Sequence, residues 1–151
     1  MLKLRKSVFV IIISLCIITG CSKNEIKLIC TLKSNDINEE IILESVFIFD
    51  KQKEELKSYR EKSTMIYSNS LTDEIFKEIF GQTKDSCNKL NKEKGKKCSF
   101  KKINDKKVVA EIIIDVSKLS QSERLSQQPL NFSYNEAIEY MENNGITCEE
   151  K

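Results

Sequence analysis

Sulfur carries the most specific chemistry in this 151-residue chain, whose six cysteines stand at positions 16, 21, 30, 87, 98 and 148. Cys21 follows Ile18-Thr19-Gly20, at the end of a segment that places Lys3, Arg5 and Lys6 ahead of an apolar run from Val8 to Ile18. A basic start, a short apolar stretch and a small residue before a cut describe a secretory signal. The closing tetrapeptide has the form of a bacterial lipobox, in which the cysteine sulfur takes a diacylglyceryl group and the peptide is cut just before it. Gly20 suits that cut, which needs an unhindered backbone. A membrane span needs about 20 apolar residues, whereas this run is eleven long and polar Ser22-Lys23-Asn24-Glu25 follow Cys21. The sequence therefore predicts a signal over 1–20, lipid attachment (with palmitate among the acyl chains) at Cys21, and a position on the extracytoplasmic face of the cell membrane.

With Cys16 discarded and Cys21 lipidated, Cys30, Cys87, Cys98 and Cys148 remain. An even number of cysteines in an exported domain points to disulfides, and four cysteines allow three pairings. Ten residues separate Cys87 from Cys98, a short loop that turns the chain back, so this pair closes easily. Cys30 and Cys148 then tie the first strand to the C-terminal end. A zinc site lacks both a Cys-x2-Cys spacing and any histidine, and no Cys-x-x-Cys redox motif occurs. Neither a metal nor an organic cofactor is expected.

Other reactive groups show no catalytic arrangement. The absence of histidine excludes Ser-His-Asp and Cys-His machinery. Glu111 and Asp115 share a strand face but stand about 13 Å apart, too far for a glycosidase pair. Glu39-Glu40 and Glu149-Glu150 have the look of solvated ends, and no spaced acidic run with glycine suggests a calcium loop. Tyr59, Tyr67, Tyr134 and Tyr140 are candidates for a ligand surface, Tyr134 being the one expected in the core. Eight lysines lie between Lys92 and Lys107, opposed only by Glu93 and Asp105, a local charge of +6. Of these, Lys96, Lys97, Lys101, Lys102, Lys106 and Lys107 are candidates for contact with anionic lipid or a wall polymer; the competing explanation is a solvated hairpin. Nucleic acid is not an expected partner. Removing Lys3, Arg5 and Lys6 from the 25 basic residues leaves 22 against 23 acidic ones, so the apparent basicity disappears with the signal.

The elements that hold these groups follow from periodicity. Ser22 to Glu25 form a tether reaching at most about 15 Å, which keeps the domain near the bilayer. A strand is predicted over 26–32, then a turn at Ser34-Asn35-Asp36 and a strand over 41–49. Ile41, Leu43, Phe47 and Phe49 occupy one face of that second strand and Ile42, Val46 and Ile48 the other, so it should be central or covered on both sides. A more polar third strand covers 56–67. A helix is predicted over 71–92, capped by Ser70 or Thr72, with Phe76, Ile79, Phe80, Thr83, Cys87 and Leu90 on its inner arc and Gly95 as its left-handed stop. Residues 98–103 and 107–116 form a hairpin around Asn104-Asp105, with Val108, Ala110, Ile112, Ile114 and Val116 on one face. A helical turn is placed near 122–125. A final helix opens on a Ser133/Glu136 capping box, buries Tyr134, Ala137, Ile138 and Met141, and ends at Gly145 before an extended Ile146-Thr147-Cys148. These elements form one α+β domain over 26–151, an antiparallel sheet of about five strands packed by one long and one short helix.

Several stretches also resemble small lipoproteins of Firmicutes, in the broader YehR-like group. They are the lipobox, the early strand cysteine, Cys87-Asn88-Lys89-Leu90-Asn91, Lys94-Gly95-Lys96-Lys97-Cys98-Ser99, Tyr134-Asn135-Glu136-Ala137 and Gly145-Ile146-Thr147-Cys148. The resemblance implies a small α+β lipoprotein domain and supplies no catalytic residues. The functional expectation is a membrane-anchored binding or interaction module of the cell envelope that meets an envelope protein, and not an enzyme. The alternative is an accessory envelope enzyme, or an inhibitor of one, with a shallow site.

Overall fold

β-Branched and aromatic residues such as Ile41, Ile42, Val46, Phe47, Ile48 and Phe49 favour extended backbone, and residues 25–67 form three long strands. The computed structural model describes residues 24–151. The expected signal, Cys16 and the expected lipid site at Cys21 lie outside the described residues. Strand β1 (Glu25–Asn35) meets β2 (Glu39–Asp50), which meets β3 (Leu56–Tyr67). Helix α1 (Asp73–Leu90) follows, then β4 (Lys96–Asn104) and β5 (Lys107–Asp115). A 3₁₀ turn at Val116–Lys118 leads to α2 (Gln121–Ser126), α3 (Tyr134–Asn143) and β6 (Thr147–Glu150). All pairs are antiparallel, in the order β4-β5-β3-β2-β1-β6.

Aspartate and asparagine side chains set the turns by holding nearby backbone amides. Asp36 Oδ1 accepts from Ile37 N at 2.6 Å, Asp50 Oδ1 from Gln52 N at 3.0 Å, and Asn104 Oδ1 from Lys106 N at 2.9 Å. The sheet is α+β as expected but has six strands, because the extended C-terminal end pairs with β1 through Leu28↔Glu150 to Thr31↔Thr147. Three α-helices are present among the described residues, α2 being a six-residue one over the expected helical turn.

Both longer helices pack on the same face of the sheet. One apolar cluster joins Leu28, Phe47, Phe49, Leu56, Tyr59, Ile114 and Val116 to Ala137 and Met141 of α3. A second joins Leu71 and Phe80 to Val108, with Met65, Phe76 and Phe100 against it. Helix α1 is capped by Thr72, whose Oγ1 accepts from Ile75 N. It buries Phe80 and Cys87, whereas Ile79 is 54% exposed. The predicted inner arc was therefore too wide, since α1 lies over the sheet margin and presents only a narrow stripe. The helix ends at Leu90 without the help of Gly95, and Asn91 clasps Cys98 in both directions. Its Nδ2 donates to Cys98 O at 2.9 Å, and its Oδ1 accepts from Cys98 N at 2.7 Å. Gly95, with φ +79°, instead makes the turn into β4. At α3, Ser133 and Glu136 form the reciprocal capping box.

Candidate functional site

The covered face carries both disulfides. Cys30 sits directly opposite Cys148 across β1 and β6, and the two are bonded. Cys87 of α1 is bonded to Cys98 of β4. Registers place both bonds on one row across the sheet, Cys148-Cys30-Ser45-Glu61-Ile112-Cys98. Between them, buried Ser45 and Glu61 flank Tyr59, whose hydroxyl donates to the Glu61 carboxylate. Burial, and then the neighbouring Glu61 carboxylate, raise the Tyr59 pKa well above the usual phenol range. Tyr134 donates to Glu150 Oε2 at 2.6 Å, and that bond pushes its pKa up to about 12. Tyr67 contacts Met65 Sδ and packs near Phe80, while Tyr140 lies against Phe132. The four tyrosines are spread over both clusters and line no common surface.

The six candidate lysines do not form one patch. Lys96 is on the covered face, only 7% exposed, with Nζ 2.7 Å from Glu93. Lys102 is on that face too, held by Asp73 at 2.7 Å and by Asp105 at 3.4 Å. Its bond to Asp73 lowers the Asp73 pKa and raises its own. Lys106 Nζ donates to Ser68 O at 2.8 Å. Only Lys97, Lys101 and Lys107 share the other face. Moreover, the β4–β5 turn adjoins Tyr67 and Ser68, at the end of the sheet opposite Glu25. Strand β1 spans roughly 33 Å between those ends. The turn therefore does not sit beside Glu25, and the six lysines are divided between two faces and an edge of the sheet. The cause is topological: β1 carries the chain away from its start before any later strand returns.

Two further features were not visible as sites in the sequence. The first is a groove of about 390 Å³ between the β2–β3 turn and α2, lined among others by Leu56, Val116, Arg124, Leu130 and Phe132. Its carboxylates do not converge: Glu136 is engaged by Ser133, and Glu54 and Glu55 are exposed. Among the described residues, no three His, Cys, Asp or Glu side chains come together as a metal site.

The second is the other face of the sheet, where no helix packs among the described residues. Neither apolar cluster includes Ile29, Ile42, Val46, Ile48, Ile66, Val109 or Ile113. These side chains alternate with charge in rows fixed by the registers. One row reads Glu149-Ile29-Val46-Arg60-Ile113-Lys97, and the next Thr147-Thr31-Glu44-Lys62-Glu111-Ser99. Arg60 lies flat across the face, 3.2 Å from Glu44 and 3.0 Å from Glu111. Its Nε meets Glu111 off the N–H direction, so this is an ion pair without a formed hydrogen bond. Ile113 is 38% exposed and borders a hollow of about 300 Å³ with Lys97, Ser99 and Glu111. The signal for this face was the doubly apolar pattern of residues 41–49, which comes from a central strand covered by helices on one side only.

No protein-family model matches the chain, and no curated protein does. Among solved structures, it is similar to one described as the NMR structure of the protein from Streptococcus pneumoniae TIGR4. The two share 19% identity over 86% of this chain and 88% of that one, with a TM-score of 0.47.

Proposed function

We propose that this protein is a lipid-anchored binding domain of the cell envelope, held at the extracytoplasmic face through Cys21, with its helix-free sheet face as the binding surface. The observation that carries this reading is that face: seven aliphatic side chains, interleaved with charge, on a rigid six-stranded support. Aliphatic side chains left partly exposed together on one face mark an interaction site. Two disulfides agree with an oxidising compartment, and the lipobox and the YehR-like resemblance agree with the anchor.

Two measurements on intact cells test it. Alkyne-palmitate labelling should mark the wild-type chain and not Cys21→Ala; equal labelling of both contradicts the anchor. A photocrosslinking residue at position 113 should give defined adducts, whereas one at position 79 on the outer side of α1 should not. Absence of adducts at 113 contradicts the assigned surface.

A further inference from the structure

We infer that the uncovered face binds a second copy of this chain, face to face, about a two-fold axis that runs along the strands between β2 and β3. This rests on the proposed use of that face and names its partner. The registers decide which residues such an axis brings together. It sets β2 against β3, β1 against β5 and β6 against β4 of the second copy. Ile29 then meets Ile113, which is 38% exposed. Lys27 meets Asp115, Glu149 meets Lys97 and Glu44 meets Lys62, each pair occurring twice by symmetry. Among the described residues, Lys27, Lys62 and Lys97 form no ion pair within the chain, whereas Asp115, Glu44 and Glu149 already hold Lys118, Arg60 and Lys151, so the contact extends those pairs into networks across the two copies.

Three other placements of the axis fit worse. Centring the axis on β3 opposes Arg60 to Arg60 and Glu44 to Glu111. Shifting it beyond β3 leaves β1 and β6 outside the contact. An axis along the row containing Glu44 opposes Glu44 to itself. The roughly 30° between aligned sheets moves the outermost pairs by about 6 Å, within the reach of lysine. Six strands and five rows cover about 700 Å² per copy, close to the half-share of a standard interface. An axis along the strands also leaves both residue-25 ends on one side, as two anchors in one membrane require.

The test uses the full-length protein in membranes. Ile29→Cys and Ile113→Cys in the same chain lie three strands, about 14 Å, apart. A short bismaleimide therefore cannot join them within one copy, nor join either residue to its own symmetry mate. The double variant should give a covalent dimer and each single variant none. Lys62→Glu should cut the linked yield about tenfold by opposing two carboxylates, and adding Glu44→Lys should restore it. No linked dimer in the double variant overturns the inference, as does equal linking by an Ile79→Cys control. Heterologous adducts at position 113 without self-linking also overturn it but leave the proposed function standing; no adducts at all remove both.

Discussion

The two faces of this sheet are made by the same strands yet differ in every respect that matters energetically. On one side, alternate residues of β1, β2 and β3 disappear beneath α1 and α3, and two disulfides on one row fix the sheet's outer strands. On the other, Val46 is buried, but most of the intervening residues stay partly or fully exposed, with ion pairs such as Glu44–Arg60–Glu111 between them. One side carries both apolar clusters, while the other is the surface proposed for contact. Residues adjacent in sequence therefore take opposite roles, because the side-chain period of a strand is two.

The largest effects should come from the covered side. Replacing Cys30 and Cys148 by alanine opens a loop of 118 residues and should cost nearly 5 kcal/mol. The same change at Cys87 and Cys98, with a separation of 11, should cost about 3 kcal/mol. Urea unfolding of both variants checks the order, and a reversed order breaks the picture of β6 as the main clamp. Next, Phe47→Ala should cost about 3–5 kcal/mol and Ile48→Ala only about 1 kcal/mol, though the two are neighbours. Equal losses would mean that the second face is covered as well.

Gly95→Ala should cost about 1–3 kcal/mol. Its φ of +79° is strained for a side chain, and a Cβ there would stand 2.8 Å from Lys118 Cβ and 3.0 Å from Asp115 O. Retained stability would show that this corner of the covered side can shift. The smallest effect concerns pH. With the Tyr134 pKa raised from 10.0 to about 12, its bond to Glu150 favours the fold below pH 10 and is lost as pH rises through about 12. A phenolate absorbance titration should show late steps from Tyr59 and Tyr134, and Tyr134→Phe should remove the earlier of the two; no change would place Tyr134 away from Glu150.

Local features were legible in the sequence. The β5 alternation and the Ser133/Glu136 box depend on residues within a few positions of each other, where periodicity and capping chemistry act. The α+β class followed from the order of such segments. Long-range features were not legible. Nothing local states that β5 lies against β3, that residues 147–150 reach β1, or that the Lys106 turn ends far from Glu25. The exposure of Ile79 has the same origin, since helical spacing gives an arc but not the width of the surface it meets. The uncovered face was half legible: apolar residues on both sides of β2 were evident, whereas the single layer of helices was a property of the whole chain.

The division between faces is tested most directly by Ile113→Glu in the detergent-solubilised full-length protein, followed by light-scattering mass and urea unfolding at a concentration where the wild type is monomeric. The expected result is a shift from dimer to monomer at high concentration, with unfolding changed by less than about 0.5 kcal/mol. A loss of several kcal/mol with unchanged mass would contradict it, and would assign Ile113 to the core.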